Sequence, residues 1–568
     1  MRRRRPHHHR PFCHCPFHHE IRGRYARACI VFTLVLFAAC GGPVENNDSV
    51  GGLVGGVAGT ELAERQVLHK GIGAEPQTLD PHRAEGVPSA NILRDLFEGL
   101  VSEAPNGTLI PGAAQRWTIS PDGKTYTFFL REDGRWSNGD PVTAADFVYG
   151  LRRSVDPNTL SQYSSILYPI ENAEAIVLGQ LPPDKLGVSA PDSLTFVIRL
   201  HAPAPYLLGL LTHSTAYPVH APTVELHGRR FVRPGNLVSN GAYRLDEWVV
   251  QSRMKLVRNE KYRDDANTTI DVVYLYPIEN ADAELKRYRA SELDITEGIP
   301  YQQLTWIRAH LGDEFRVSPY LGSYYFGLNV TRPPFKDSPK LRQALAMAID
   351  RDIITMRITG AGEIAAYGWV PPVANYQGQQ PEWAQWTQER RNEEARRLYR
   401  EAGYSTSKPL EVEIMYNTSE NHKRVSIAIA SMWKQVLGVK ARLANQEWKV
   451  FLETRKRKEK TEVFRDGWIG DYNDAFSFAQ LMHSANELNG SGWVNPAYDA
   501  LVDAATLESD MLKRAALMQE AERLLLADMP IIPIYFYVSK HLVKPWVGGY
   551  QSNIMDHHYS KNFYILKH

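Results

Sequence analysis

Two hydrophobic periodicities alternate along the chain from about residue 66 onward. Residues 125–130 (TYTFFL), 195–200 (TFVIRL) and 272–278 (VVYLYPI) are short apolar runs rich in β-branched and aromatic residues, and they predict strands. Longer segments repeat their apolar positions with the helical period, and these cover residues 339–354, 392–404, 422–438 and 512–528. Because strand and helix signals interleave, the pattern predicts a mixed α/β fold divided into several lobes.

Local signals mark the ends of two helices. Thr143 and Asp146 have the three-residue spacing of a capping box, so a helix with the sequence AADFVYGLRRSV is expected to begin at residue 144. Gly403 ends the helix of residues 392–404, because glycine readily adopts the left-handed conformation found at helix C-termini. With 568 residues, the chain exceeds the size at which one hydrophobic core stops growing, so two or three lobes are expected.

The N-terminal region has a different pattern. A basic stretch is followed by the apolar run IVFTLVLFAA at residues 30–39, and small residues precede Cys40. Because this run is much shorter than the roughly 20 residues needed to span a bilayer, residues 1–39 are predicted to be a secretory signal peptide. The string LFAAC at 36–40 resembles a bacterial lipobox, so Cys40 is expected to be acylated and residues 40–60 to form a flexible tether. The alternative is a buried strand beside an unrelated cysteine.

Composition after the signal excludes several classes of function. Residues 1–39 carry eight arginines and one acid, which leaves 57 basic and 63 acidic residues and a net charge of −6. A mildly acidic body lacks the excess of basic residues that nucleic-acid-binding proteins use to contact phosphates, so this class of function is excluded. All four cysteines lie at or before residue 40, so the body has neither a disulfide framework nor a thiolate metal site.

Catalytic motifs are missing from the body. The sequence contains no G-x-S-x-G elbow, no H-E-x-x-H pair and no G-x-G-x-x-G fingerprint that opens a helix. The thirteen histidines after residue 40 show no obvious ligand spacing, so neither a metal nor a cofactor is expected. Carboxylate pairs for hydrolysis need not be visible in a sequence, so a hydrolase stays open as an alternative to the favoured non-enzymatic function.

Ordered motifs along the body identify a family. The segment WSNGDPVTAADFVYGLRRSVDP at residues 136–157 closely resembles the signature of periplasmic solute-binding proteins of the peptide and nickel family. Further segments resemble oligopeptide-binding members of this family, in the same order: residues 78–88, 94–101, 287–295, 366–372, 391–404, 465–474 and 542–550. Several ordered matches are far more specific than one motif.

The resemblance implies an α/β fold of the periplasmic-binding-protein type II-like class, with three lobes. Lobe I is expected to comprise residues 60–97, 222–321 and 539–568, lobe II residues 98–221, and lobe III residues 322–538. Two of the lobes are expected to close over the ligand by a hinge motion.

The segment RDGWIGD carries the central site residues that the resemblance implies. Asp471 corresponds to a carboxylate that pairs with the α-ammonium group of a peptide, Arg465 to a cation facing the peptide's C-terminal half, and Trp468 to an aromatic wall. A receptor that grips termini and backbone leaves the peptide side chains in roomy, hydrated pockets. We expect an extended peptide to be bound as an added strand by backbone groups. These groups belong to Gly467, Gly470, Glu85, Gly86 and Val87.

Other residues fit further pocket positions of the family. They are Tyr163, His422, Trp448, Arg455, Tyr320, Tyr325, Asn489 and Tyr537. The chain departs from its relatives at Gly322 and Ile469, where well-known members carry a cysteine pair. We expect a site without that crosslink to be somewhat more mobile.

The resemblance therefore implies the substrate-binding lipoprotein of an oligopeptide ABC importer. It is expected to be a monomer of the periplasm or cell envelope, anchored to a membrane through Cys40. It would capture short peptides in extended form and deliver them to the membrane permease. The alternatives are a sibling receptor for dipeptides, murein peptides, or a haem or metal complex, and a degraded relative acting as an adhesin or chaperone-like lipoprotein.

Overall fold

The computed structural model describes residues 59–459 and 461–568. These residues belong to one compact unit, Gly56–His568. The expected signal peptide, Cys40 and most of the tether lie outside the described residues. Within the described part, no helix is both long enough and apolar enough to cross a membrane.

Eighteen strands and fifteen α-helices make up the described part of the chain. The strands are β1 Val67–Gly71, β2 Val101–Glu103, β3 Leu109–Pro111, β4 Ala114–Ile119, β5 Thr125–Leu130, β6 Val188–Ser189, β7 Thr195–Arg199, β8 Tyr243–Val249, β9 Arg253–Arg258, β10 Val272–Tyr276, β11 Phe315–Leu328, β12 Ile364–Ala365, β13 Glu411–Asn417, β14 Lys440–Gln446, β15 Val463–Ile469, β16 Ile531–Leu542, β17 Val547–Gly548 and β18 Tyr564–Ile565. The helices are α1 Val87–Leu96, α2 Ala144–Val155, α3 Ala173–Val177, α4 Leu207–Leu210, α5 Ala221–His227, α6 Ala281–Arg289, α7 Leu304–His310, α8 Pro339–Met347, α9 Arg351–Ile353, α10 Gln388–Glu401, α11 Glu420–Leu437, α12 Trp448–Arg457, α13 Phe476–Ala479, α14 Pro496–Leu507 and α15 Met511–Asp528.

Three sheets organise these elements into a mixed α/β fold. The first sheet has the strand order β1-β10-β9-β8, and the second has the order β4-β5-β7-β6. The third and largest has the order β12-β16-β11-β15-β13-β14 and combines antiparallel pairs with parallel pairing of β13 to β14 and β15. The three strands predicted from apolar runs are present as β5, β7 and β10.

The helices confirm most of the periodic segments, with one interruption. The capping box at the start of α2 is formed, and the Thr143 backbone N–H donates to Asp146 Oδ2 at 2.8 Å. The single helix expected over 339–354 is instead divided into α8 and α9. Asp350 begins a new helical turn there, because its side chain accepts a hydrogen bond from the Ile353 N–H at 3.0 Å.

Two long strands of the third sheet, β11 and β16, cross the expected boundaries between lobes I and III. They pair over most of their length, with a register shift between Pro319 and Ser323. The expected boundary at 321/322 falls within this irregularity, and the one at 538/539 lies directly beside it. Because a bulge bends a strand and increases its local twist, we expect the ribbon to bend where the lobes meet. The lobe boundaries themselves remain a prediction.

A buried carboxylate on α15 fastens a long connecting segment to the fold. Glu522 Oε1 accepts the backbone N–H groups of Trp369 at 2.7 Å and Val370 at 2.9 Å. Its Oε2 accepts the Tyr376 hydroxyl at 2.7 Å and the Gln379 N–H at 2.9 Å. One side chain therefore satisfies four donors that secondary structure leaves unpaired.

Replacing Glu522 by alanine is expected to be strongly destabilising, because three backbone donors and one hydroxyl lose their acceptor. Each unsatisfied buried donor costs about 1–3 kcal/mol, and partial hydration on relaxation brings the expected loss in free energy of unfolding to roughly 3–5 kcal/mol. Urea denaturation followed by tryptophan fluorescence measures the loss. Glu520→Ala is the matched control, since Glu520 is half-exposed on the same helix and pairs only with Arg523. Equal losses in the two variants would contradict the anchoring role of Glu522.

Candidate functional site

A cavity of about 420 Å³ lies among segments that are distant in sequence. Its volume falls in the range of about 300–1,000 Å³ that is usual for ligand sites. Fourteen of the sixteen residues expected at a ligand site line it: Glu85, Gly86, Val87, Tyr163, Tyr320, His422, Trp448, Arg455, Arg465, Gly467, Trp468, Gly470, Asp471 and Tyr537. The fold therefore brings these residues together, and their contact with a ligand remains a prediction.

Tyr325 and Asn489 do not line the cavity, which corrects the expectation for these two residues. The Tyr325 hydroxyl donates to Asp466 Oδ2 at 3.0 Å, so this side chain supports the wall from behind. Asn489 is buried in a loop, where its Nδ2 donates to the Trp493 carbonyl at 2.9 Å and its Oδ1 accepts the Ser491 hydroxyl at 2.8 Å. Both residues are engaged in holding structure together.

The Asp471 carboxyl is buried beside neutral partners. Its side chain is 7% exposed, it accepts the Ser477 hydroxyl at 3.3 Å, and its Oδ1 lies 3.8 Å from His213 Nε2. Burial raises the pKa of Asp471 to about 8, against the opposing effects of the Ser477 hydrogen bond and of Arg94. Burial likewise lowers the pKa of His213 to about 3, so this histidine is neutral near pH 7. No described lysine or arginine forms an ion pair with Asp471, so a cationic group entering here would find an uncompensated carboxyl.

The Arg465 guanidinium is the opposite case, a buried cation bonded to neutral groups. Its Nη1 donates to Asn417 Oδ1 at 3.2 Å and its Nη2 to the Tyr537 hydroxyl at 2.6 Å. It also lies 4.6 Å from the centroid of the Tyr324 ring. Arginine stays charged in proteins, and no described carboxylate forms an ion pair with Arg465. An anionic ligand group would therefore be stabilised beside it.

A buried ion-pair network joins two walls of the cavity. Arg455 Nη1 donates to Asp466 Oδ2 at 2.6 Å, and Nη2 donates to Glu85 Oε1. Asp466 Oδ1 accepts the Gly467 N–H at 2.9 Å. Burial raises the pKa of Glu85, and Arg455 opposes the rise. The network fastens the turn before α1, in the expected lobe I, to β15 in the expected lobe III. Asp466 was not identified from the sequence, although it lies inside the RDGWIGD motif.

Gly86 permits a close approach between the same two walls. It has a φ of 84°, which favours glycine, and a Cβ atom at this position would lie 2.7 Å from Trp448 Cζ2. The indole ring of Trp448 therefore packs directly against backbone. Any larger residue at position 86 would separate α1 from α12.

Strand β15 presents an unpaired edge to the cavity. It pairs with β11 along its whole length, from Gly322↔Ile469 to Leu328↔Val463. On its other side it pairs with β13 only through Val463 and Phe464. From residue 465 to 469, this edge has no strand partner within the described ranges, and all five of these residues line the cavity. Such an edge can accept an added strand through its backbone groups.

The positions at which the family resemblance implies a cysteine pair hold a glycine and an isoleucine whose shapes are complementary. Gly322 and Ile469 are direct cross-strand partners in β11 and β15. A Cβ atom on Gly322 would lie 2.5 Å from Ile469 Cδ1, so the isoleucine side chain occupies the space over the glycine. The two substitutions therefore compensate one another in volume.

Comparison with known proteins gives consistent matches. Residues 108–490 match the family described as bacterial extracellular solute-binding proteins, family 5, middle region. The chain is 44% identical over 516 residues to the periplasmic oligopeptide-binding protein OppA of Escherichia coli (strain K12), covering 90% of this chain and 94% of that protein.

Solved structures add information on conformation. The structure of Haemophilus influenzae OppA in complex with RPPGFSPFR is similar, with a TM-score of 0.87, 41% identity, and coverage of 89% of this chain and all of that chain. The Escherichia coli murein tripeptide-binding protein MppA gives a TM-score of 0.88 at 41% identity over 90% of this chain and all of that chain. The unliganded open form of MppA gives only 0.64 at the same identity, over 89% of this chain and 99% of that chain. The described conformation therefore differs from that open form.

The pKa of Asp471 predicts a pH-dependent conformation in the ligand-free protein. A carboxyl whose pKa rises from 3.8 to about 8 on burial favours the buried state at low pH. The described conformation should gain stability as pH falls from 8 towards 4 and lose it as pH rises through 8. Small-angle scattering of ligand-free protein is expected to give a smaller radius of gyration at pH 5 than at pH 9. Asp471→Asn, which cannot ionise, should remove most of this dependence, and an unchanged dependence would exclude Asp471 as its source.

Proposed function

The chain belongs to the bacterial extracellular solute-binding proteins of family 5, and from this membership and the cavity we propose that it captures short peptides in extended form for an ABC importer. The observation that carries the proposal is a buried carboxyl and a buried guanidinium, each of which has only neutral partners. These two groups are the side chains of Asp471 and Arg465, and the unpaired edge of β15 runs from Arg465 towards Asp471.

A free peptide offers complementary chemistry. It carries an ammonium group, a carboxylate and backbone donors and acceptors, all of which are costly to bury without partners. In the proposed complex the ammonium pairs with Asp471, which lowers the pKa of that carboxyl and leaves it ionised. Arg465 attracts the carboxylate or polar groups of the C-terminal half. The ligand thereby neutralises the buried Arg465 cation and the carboxylate that Asp471 forms on binding.

The length of the unpaired edge suggests a peptide size. Residues 465–469 of a strand span about 13 Å at a rise of about 3.3 Å per residue, which matches an extended peptide of about five residues. Backbone recognition on this edge is independent of side-chain identity. Trp468 and Tyr163 form an aromatic wall, with ring centroids 6.2 Å apart. In the proposed complex this wall borders a peptide side chain but makes no hydrogen bond that would select one side-chain type.

Ligand capture is proposed to close the protein around the β11–β16 ribbon. The Arg455–Glu85 ion pair and the contact of Trp448 with Gly86 form only when the two walls meet. Each joins the expected lobe I to the expected lobe III. A peptide that contacts both walls would favour the closed state by its differential affinity for that state.

The remaining parts of the proposal concern the cell envelope. Cys40 is proposed as an acylated anchor and residues 41–60 as a tether reaching about 25 Å, from which the protein delivers peptides as a monomer to a membrane permease. The cavity is proposed to bind without cleaving. Recovery of intact peptide after prolonged incubation, measured by mass spectrometry, tests the last point against the hydrolase alternative.

Removing the Asp471 carboxylate is expected to weaken peptide binding by two to four decades in Kd. Breaking one side of a buried ion pair costs about 3–5 kcal/mol, which corresponds to that factor. Isothermal titration of Asp471→Ala with a tripeptide and with its N-acetylated form tests the assignment. Acetylation removes the ammonium, so it should weaken binding to the wild type by a similar factor and have little further effect on the variant.

Asp503→Ala serves as the control, because Asp503 is 69% exposed and distant in sequence from the cavity-lining segments. It should bind both ligands like the wild type. A loss below threefold in Asp471→Ala, or an acetylation effect that persists in that variant, would show that another group holds the ammonium.

The natural ligand is accessible by native mass spectrometry of protein purified from cells, followed by sequencing of material released in acid. A mixture of two-to-five-residue peptides is expected. The 41% identity to MppA makes a murein peptide the specific alternative. A single species carrying a murein-type amino acid would support that alternative and contradict a general oligopeptide receptor.

A further inference from the structure

Three metal-ligating side chains converge at one end of the cavity, contrary to the expectation of no metal site. His541 Nε2 lies 2.9 Å from Asp556 Oδ2, and His558 Nε2 lies 2.9 Å from Asp556 Oδ1. Their ligand atoms all lie within 4.8 Å of one another, and no other group of three such residues in the described ranges is this compact. The side chains of His541, Asp556 and His558 are 5%, 11% and 7% exposed, respectively.

Neighbouring groups hold the two imidazole rings in place. His541 Nδ1 lies 2.8 Å from the Thr296 carbonyl, which fixes a proton on Nδ1 and directs Nε2 towards Asp556. Hydrogen bonding of the distal ring nitrogen to a carbonyl is the usual support of a metal-bound histidine. The ring of His558 stacks on Tyr550 with centroids 4.5 Å apart. Both Nε2 atoms are thus oriented towards one carboxylate by contacts outside the cluster.

We propose that His541, Asp556 and His558 bind one divalent transition-metal ion, of which zinc fits the ligand set best, with an open coordination position facing the cavity. Two imidazole nitrogens and one carboxylate oxygen are a common three-ligand set for zinc sites that keep an open position. Short rearrangements suffice, because two ligand atoms bound at about 2.0–2.1 Å to one tetrahedral zinc ion lie about 3.3 Å apart, and the nitrogen–oxygen contacts in the cluster are 2.9 Å.

The open position follows from which atoms reach the cavity. His541 and Asp556 line it, whereas His558 lies behind them. Glu297 lines the same cavity and interacts electrostatically with both His541 and Asp556. A fourth ligand can therefore come from water, from Glu297, or from a donor group of a molecule in the cavity.

The alternative account of the cluster is an ion pair between a protonated His541 and Asp556. That account requires only one imidazole. In it, the contact of His558 with the same carboxylate is merely an additional hydrogen bond. The two accounts differ in one measurable respect, since only a metal site requires the Nε2 lone pair of His558.

A cobalt titration of the full chain, without any peptide, tests the proposal. Co²⁺ bound to two imidazoles and a carboxylate in four-coordinate geometry absorbs visible light. The wild type is expected to bind one more equivalent than His558→Phe, with visible bands that the variant lacks. Phenylalanine keeps the stacking on Tyr550 and removes only the nitrogen ligands. The histidines near the N-terminus contribute equally to all chains, so the difference reports this site alone.

Two further variants complete the design. Asp556→Asn should lose the same equivalent, whereas His310→Gln, at an exposed histidine, should keep it. For the wild type and for His310→Gln, the thermal unfolding midpoint should be higher in Zn²⁺ than in chelator. His558→Phe should lack this increase. Equal stoichiometry and spectra in wild type and His558→Phe would overturn the proposal and leave an ion pair only. Because no peptide is present, failure of the proposed peptide binding does not affect this outcome.

Discussion

Charge can be buried in this cavity only where another charge or several hydrogen bonds compensate for lost hydration, and the arrangement of the walls follows from that constraint. Arg455 satisfies it internally through Asp466 and Glu85, and so acts as a structural link between two walls. Among the described residues, Asp471 and Arg465 have no charged partner. Arg465 is held by hydrogen bonds to neutral groups, and burial raises the pKa of Asp471 to about 8, which favours its neutral form. The difference separates the groups that hold the cavity together from those available to a ligand, although all of them except Glu85 lie between residues 455 and 471.

The backbone obeys the same requirement. Donors and acceptors on the free edge of β15 need partners when water is excluded, and the edge is free because β13 diverges after two paired residues. Gly86 allows the turn before α1 to come into contact with Trp448 at the start of α12. A cavity bounded by an unpaired strand edge, a buried carboxyl and a buried guanidinium, the last two without charged partners, is thus complementary to an extended, zwitterionic chain.

Sequence patterns predicted the elements better than their interruptions. Strands β5, β7 and β10 could be predicted because they are short runs rich in apolar residues. The break between α8 and α9 depends on Asp350, and the sequence alone does not distinguish a capping aspartate from one on the surface. In the site, family resemblance located RDGWIGD. It misplaced Tyr325, because successive residues of β11 face opposite sides of the sheet: Tyr324 packs beneath Arg465, and Tyr325 turns to Asp466. The His541–Asp556–His558 cluster was not predicted, since its first two members lie fifteen positions apart in the sequence.

The position of that cluster determines what a bound metal can do. His541, Asp556, His558 and the supporting Thr296 all fall in the expected lobe I, whereas Asp471, Arg465 and Arg455 fall in lobe III. A hinge motion would therefore break the Arg455–Glu85 pair but leave the metal ligands together. An ion held equally in both states cannot shift the equilibrium between them, however tightly it binds. Its influence on closure would arise only through a ligand that completes its coordination and also reaches lobe III. A metal at this site would then alter which ligands are selected, while the cost of burying Asp471 would still set how readily the empty protein closes.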